Sequence, residues 1–376
     1  MKKFVITLGL SLSCFVLSCY AQDLAMFKKD GKVGFINKSG EVVIDPVYSN
    51  GKSFSDGLAA VTYSGKMWGY IDSSGKFVID PIFKRANDFV GGMAIVSMNG
   101  DNIYINKEGN EVNVKGADKL YEFAPEGVAI YKSNRRVGLI DQFGEVVLDP
   151  KYDVIRPFVN GYAKVALNNK WGIIDVKGNE VIPTKYEEIG HFIIDGYVWA
   201  KYNDSFGVID NGEFKVIEGA DKIQDIENSN QVIVRNGKTW GVVNDKQEWI
   251  IPSIYEDIRQ GHGDLLAVRT GRKWGFINAK NERVISFKYD DAVAFSEDGL
   301  AAVKSHKWGF IDTKGTVVIP FEYDITAFNF SFTTQEKGFF EGVARVKKNK
   351  KWGFIDTKGN VLGNTWYDNL ELFNKK

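Results

Sequence analysis

The chain repeats itself, and that property restricts its fold more than any other. The hexapeptide Lys-Trp-Gly-Phe-Ile-Asp stands at 307–312 and again at 351–356. With its glycine as a phase marker, Gly34, Gly69, Gly138, Gly172, Gly207, Gly241, Gly275, Gly309 and Gly353 follow at steps of 34 or 35 residues, with two exceptions. The step from Gly69 to Gly138 holds an extra, degenerate unit with Ile103 at the marker phase. The step from Gly309 to Gly353 is one unit carrying about ten additional residues. Ten units thus fill almost all of the 376 residues. A unit of this size cannot bury its own apolar face, so it must fold by stacking on its neighbours.

Further columns keep the same phase. Fourteen residues after the marker stands an aromatic: Tyr48, Phe83, Tyr152, Tyr186, Tyr255, Tyr289, Tyr323 and Tyr367. Directly before it stands a tryptophan in six units: Trp68, Trp171, Trp240, Trp274, Trp308 and Trp352. Pro46, Pro81, Pro150, Pro183, Pro252 and Pro320 fall eleven or twelve residues after it. Within a unit, Leu300 to Val303 reads as a short apolar strand, and Trp308 to Asp312 as a second with Trp308 and Phe310 on one face. Asp312-Thr-Lys-Gly315 is then a hairpin turn, in which aspartate bonds backbone amides and glycine takes the left-handed position. Val317 to Ile319 forms a β-branched third strand, which Pro320 is expected to end because proline cannot donate to the ladder.

This pattern resembles the WG-repeat family over about residues 23–376, on whole aligned units such as Gly299 to Tyr323. Val33-Gly34, Val137-Gly138, Phe206-Gly207 and Asn102-Ile103 depart from the Trp-Gly pair. The resemblance implies an all-β binding or scaffold module of bacterial proteins, with no defined activity and no common ligand. The expected architecture is a tandem array of about ten three-stranded meanders. An open or spiralling solenoid is favoured over a closed propeller-like ring, because ten three-stranded blades would be unusual. Atypical segments in the third and sixth units, Gly116 to Leu120 and Gly219 to Ile223, and the insertion in the ninth raise a spiral of three units per turn. Independent drift of the three units is the favoured reading.

Residues 1–21 read as a signal segment, with Lys2 and Lys3 before an apolar run from Phe4 to Leu17 that is short for a bilayer span. The mature array is expected from 22 to 376. Cleavage after Ala21 gives soluble export and is favoured over the alternative, a lipobox reading of Val16 to Cys19 with Cys19 lipidated. Both cysteines, Cys14 and Cys19, lie in this segment, which leaves the exported chain no disulfide and no cysteine nucleophile. No later run is long enough for a transmembrane helix. Lys+Arg and Asp+Glu are both 48, and that balance gives no electrostatic case for a nucleic-acid partner.

The tryptophan column and Tyr48, Tyr152, Tyr186, Tyr255, Tyr289, Tyr323 and Tyr367 are expected to form the structural core between units. A carbohydrate-stacking ladder is the lesser reading. Trp199, Trp249 and Trp366 lie off the column and are better candidates for exposed contact. The recurrent aspartate offers one carboxylate per unit, too few for a calcium loop, and the turn already uses it. His191, His262 and His306 show no metal-ligand spacing, and no motif calls for a cofactor or a catalytic nucleophile. In the insertion, near 328–338, Phe328, Phe330 and Phe332 alternate with polar residues. They read as a cap on the last unit, or as an aromatic contact for a partner. The expected function is that of a non-catalytic binding or scaffold protein of the cell envelope or exterior, its partner an unidentified protein. A glycan-binding module is the second reading, and a hydrolase with a site assembled between units the third.

Overall fold

The computed structural model describes residues 24–191, 196–226, 229–324 and 338–373. They form ten small antiparallel sheets in tandem, nine of them four-stranded. In unit 8 the strands run Asp257–Arg259, Leu266–Thr270, Lys273–Ile277 and Arg283–Tyr289, here called a, b, c and d. Strands b, c and d are the three expected. Strand a is additional, a piece of two to five residues taken from the connector that leads in from the preceding unit.

The columns have a simple origin in this register. Trp274 of strand c stands opposite Tyr289 of strand d, and Trp171, Trp240 and Trp308 stand likewise opposite Tyr186, Tyr255 and Tyr323. Two residues on, Phe276 pairs with Ile285, so strand d covers four residues while strand c covers two. The extra residues form a bulge that arches over the marker glycine between them. A Cβ on Gly275 would stand 2.6 Å from the Ile285 carbonyl oxygen, and one on Gly172 would stand 2.5 Å from that of Ile182. Glycine is therefore required by the backbone of its own sheet. The prolines occupy the same bulge. Strand d runs on through Pro320 to Tyr323, so the proline does not end it. Within the bulge a missing N–H disturbs no ladder bond, and on an exposed edge it discourages pairing with other chains.

Packing between units repeats as well. An aromatic one residue after the marker meets a connector phenylalanine of the next unit, with ring centroids 4.9 Å apart for Phe35 and Phe54, 4.7 Å for Tyr70 and Phe89, and 4.9 Å for Phe276 and Phe295. The isoleucine of strand d packs on the turn glycine of the next unit, as Ile44 does on Gly75 and Ile285 on Gly315.

The two ends of the array meet. Asn369–Leu370 supplies strand a of the first sheet, with Leu370 opposite Phe27 and Asn369 opposite Lys28. The contacts there are the ordinary ones between units. Phe354 stacks on Phe373 at 4.5 Å, and Gly363, at the phase of Ile44, packs on the turn glycine Gly40. One apolar cluster joins Ala25, Phe27 and Ile36 to Trp352, Tyr367 and Leu370. No sheet closes on itself, but the ten sheets form a closed cycle. The all-β tandem array stands, and the preference for its open form gives way to the ring. The objection to a ring was the three-stranded blade, and the connector strand removes it. In a cycle of ten, the third, sixth and ninth units do not align on one side, which ends the three-per-turn idea.

Candidate functional site

All seven column tyrosines are buried, between 1% and 7% exposed. Trp274, Trp308 and Trp352 are buried too, while Trp68, Trp171 and Trp240 are half-buried. These residues sit in apolar clusters that span neighbouring units. Trp199, Trp249 and Trp366 are half-buried and pack in or against such clusters, so none is the open aromatic face expected of it. Phe328, Phe330, Phe332 and Cys19 lie outside the described residues. His262 and His306 stand on the surface, and only His191 belongs to a cluster of charged groups.

In several units the outer face of the column tryptophan carries a cation. The Arg259 guanidinium lies 4.1 Å from the Trp274 ring centre and donates to the Ala292 carbonyl of the next unit at 2.6 Å. Arg345 stands 4.7 Å from Trp352 and donates to the Leu370 carbonyl at 3.0 Å. Lys164 stands 5.9 Å from Trp171 and donates to the Ile189 carbonyl at 3.3 Å. The three acceptors are all in strand a of the next unit. The indole steers the cation, and the cation ties one unit to the next. Because Lys164 already makes that tie in unit 5, the Arg156 guanidinium, 5.6 Å from the same ring, is left over. Arg156 is exposed and has no carboxylate or hydrogen-bond partner for its guanidinium among the described residues.

Arg156 stands on the rim of a cleft of about 720 Å³ at the junction of units 4 and 5. Strand a of unit 4, Lys119–Phe123, creates the opening. Its register on strand b shifts between Leu120 and Phe123, and this bulge interrupts the pairing that closes the same place in other units. The walls are apolar, with Leu120, Phe123, Ile130, Ile155 and Phe158 among them. Two acidic side chains reach the rim, and both are engaged. Glu122 accepts from the Asn87 amide at 3.0 Å. Asp153 pairs with Arg136 and also accepts the backbone N–H of Asn168.

Behind Arg156 lies a connected group of titratable side chains. The Lys164 ammonium is 2.8 Å from Nε2 of His191, and the His191 backbone N–H reaches Asp225 at 3.2 Å. Burial pushes the Lys164 amine down. Burial, together with the neighbouring ammonium, pushes the His191 ring down. Burial raises the Asp225 carboxyl against the opposing pull of the His191 amide and Lys164. Each group is thus biased toward its neutral form. Gly190 makes room for this group, since a Cβ there would meet an Asp225 oxygen at 2.5 Å and the Trp199 ring at 2.8 Å. Chemically, the region offers an apolar slot on one side of the fifth sheet and an unpaired guanidinium over Trp171 on the other.

Two signals for these contacts are present in the sequence but were not read from it. One is the acidic residue after six of the seven column tyrosines, such as Asp153, Glu187, Glu256 and Asp290. Asp153, Glu256 and Asp290 each accept a backbone N–H from the next unit's b–c hairpin. The other is the position eight residues before the marker, alanine, valine, isoleucine or methionine in the other units, where Lys164, Trp199 and Arg345 stand out.

A family model described as WG containing repeat matches residues 34–66, 68–100, 138–171, 171–205, 240–274, 274–306, 308–331 and 337–352. No curated protein sequence matches the chain. Among solved structures, one titled as a eukaryotic initiation factor is similar at 10% identity and a TM-score of 0.45, over 79% of this chain and 95% of that one. PorZ, a surface component of the type-IX secretion system of Porphyromonas gingivalis, is similar at 11% identity and 0.25, over 89% and 55%. The extracellular domain of a one-component system of B. thetaiotaomicron is similar at 10% identity and 0.34, over 90% and 56%. Likenesses of this order bear on neither fold nor function.

Proposed function

The chain belongs to the WG containing repeat family, and from that premise we propose that it is a non-catalytic binding or scaffold protein of the bacterial envelope or exterior. Its leading segment, residues 1–21, supports export. One observation carries the binding reading. The periodic residues pack the ring, whereas one apolar cleft, at the junction of units 4 and 5, stays open. An open apolar slot with few polar groups is what a binding site needs. The acidic groups at its rim are held by structural partners, which leaves a hydrolytic pair without support. A glycan ladder has less support too, because Trp171, Trp240, Trp274 and Trp352 carry cations over their rings. Phe328, Phe330 and Phe332 are a second candidate contact for the partner.

Site-specific photocrosslinking in the native host tests this reading. A photoreactive side chain at Tyr121, on the cleft, is expected to capture one defined protein, and Leu120→Glu, in its apolar wall, to abolish the capture. The same group at the exposed Tyr63 serves as a control. Capture from both positions alike, or from neither, would overturn the reading.

A further inference from the structure

The chain as a whole carries no net charge, but the fold does not spread its charges evenly. We propose that copies of this chain stack head to tail, the side of one ring that bears the b–c hairpins docking on the side of the next that bears the c–d turns. This contact involves the two sides of the ring and does not rest on the cleft between units 4 and 5.

Antiparallel strands in the order a, b, c, d put the b–c hairpin and the d-to-a corner at one end of a sheet, and the a–b connector and the c–d turn at the other. Contacts between units keep like ends together. On one side each corner meets the next hairpin, as Asp153 accepts from the Asn168 amide and Asp290 from that of His306. On the other, connectors bond one another, the Gly161 amide reaching Glu126 and the Gly342 amide Asp298, both at 3.0 Å. Counted from the last residue of strand b to the first of strand c, the ten hairpins hold 13 Lys and Arg against 3 acidic residues. The c–d turns of the nine four-stranded sheets, counted likewise, hold 8 against 14. The corner carboxylates are taken up by the first residue of strand c, Asp290 by Lys273, Asp324 by Lys307 and Asp368 by Lys351. Lys29, Lys32, Lys66, Arg135, Arg272 and Lys350 are left exposed with no ion pair among the described residues. Glu108, Glu145 and Glu213 stand exposed in the same way on the turn side.

Ring closure concentrates the basic charge further. It sets the hairpin of unit 10, with Lys350 and Lys351, next to that of unit 1, with Lys29 and Lys32. Asp368 joins the two, pairing with Lys351 while its amide donates to the Lys28 carbonyl at 3.2 Å. The acidic turns are those of units 3 to 7, each with more acidic than basic residues. A second copy is the occupant that answers both sides at once. Two neutral rings do not repel as wholes, while the basic side of one attracts the acidic side of the other. The two sides also repeat at the same spacing, so hairpins face turns around the ring. An anionic polymer or lipid surface would engage the hairpin side alone. It would leave the acidic side unmatched, and with it Phe143, 80% exposed in the turn of unit 4. Because the docking sides are unlike, the contact does not close on itself and the stack extends.

The test is sedimentation velocity of the full exported chain over a range of protein and salt concentrations. In about 10 mM salt, where charges act over about 30 Å, dimers and longer stacks are expected to grow with protein concentration. In about 1 M salt, where that range falls to about 3 Å, the chain should sediment as a monomer. Two neutralised variants probe the two sides. One carries Lys29→Gln, Lys32→Gln and Lys66→Gln in the hairpins, the other Glu108→Gln, Glu145→Gln and Glu213→Gln in the turns. Each alone should associate about tenfold more weakly, the scale of three exposed charge pairs. Mixed in equal amounts they should form a dimer that grows little further, because each keeps the side that the other has lost. All six positions are exposed, so the variants keep the fold, and circular dichroism confirms it. A wild type that is monomeric in low salt would overturn the proposal, and so would association that neither variant weakens. Loss in both variants without recovery on mixing would mean that like sides meet, which refutes head-to-tail docking. A monomer that floats with phosphatidylglycerol vesicles in low salt would assign the basic side to an anionic surface instead.

Discussion

Ring closure makes a quantitative prediction that an open array does not. Leu370 is fully buried in strand a of the first sheet, 343 residues from its partner Phe27 in sequence, and it packs among side chains from both ends of the chain. Ile223 holds the same place in unit 7, opposite Val234, and is 3% exposed. If the cycle is closed in solution, both positions are interior. Leu370→Ala and Ile223→Ala should then each lose about 2–5 kcal/mol, the usual cost of removing a buried Leu or Ile side chain and leaving a cavity. If the ends were free, Leu370 would belong to a fraying terminus, and its truncation would cost under about 0.5 kcal/mol. Repeat arrays do not always unfold in one step, so the useful quantity is the difference between matched variants. Urea unfolding followed by far-UV circular dichroism on the wild type, the two single variants and the double variant measures it. A Leu370→Ala protein as stable as the wild type, beside a clearly weakened Ile223→Ala, would refute the closed ring.

Three further outcomes are expected. Gly275→Ala should cost about 1–3 kcal/mol or more in thermal unfolding, because its Cβ meets the Ile285 carbonyl at 2.6 Å, an obstacle of backbone that cannot swing away. Gly353→Ala should cost less, since its Cβ meets only the Trp366 ring, at 3.1 Å. Burial works to raise the turn carboxyls of Asp72, Asp175 and Asp356, but bonds from the turn outweigh it and hold all three below the usual carboxylate range. At Asp312 the Thr316 amide leads in the same direction. Lowered folded values mean stability that is fully present above the unfolded carboxylate pKa, about 3.9, and lost as pH falls through the folded values. The fourfold Asp→Asn variant keeps the turn acceptor, as Asn37 does naturally, so its unfolding midpoint should vary less between pH 6 and 2. An unchanged acid limb would count against the turn assignment. Finally, burial raises the Asp225 carboxyl, so its ionisation costs stability as pH rises from the ordinary carboxylate range through the raised value. Asp225→Asn keeps an oxygen for the His191 amide and should be at least as stable as wild type at pH 7, whereas Asp225→Ala should be less stable. The reverse order in thermal unfolding would show that the charge itself is needed there.

The parts of the fold that could be read from the sequence are those written alike in most units. The Trp-Gly strand, the Asp-to-Gly turn and the β-branched strand recur because each position meets the same neighbours ten times, so local chemistry and packing agree. The proline was misread for a related reason. Alone, Pro320 is a strand breaker, and only the register shift against Phe310 shows that it lies in a bulge where no ladder bond is missed. The unpaired Arg156 was out of reach because it follows from a competition. It depends on Lys164 taking a carbonyl that Arg259 takes in unit 8, and this comparison requires knowing which residues face the next unit.

Strand a failed to show for another reason, and the ring failed with it. Its inward position holds Gly51, Ala86, Leu120, Ile155, Ile189, Ile223, Ile258, Ala292 and Leu370 in turn. A column that runs from glycine to leucine gives no hydrophobic period, and two residues are too few to show alternation. What makes these residues a strand is the edge of strand b beside them, which offers its hydrogen bonds to whatever connector passes. That edge exists in unit 1 as well, along Ala25–Lys29, and the connector that passes it is the one leaving unit 10. The pairing that joins the ends is therefore the same pairing that joins every unit to the next. Closure needs no special sequence at either terminus, only a connector that comes round to an unfilled edge.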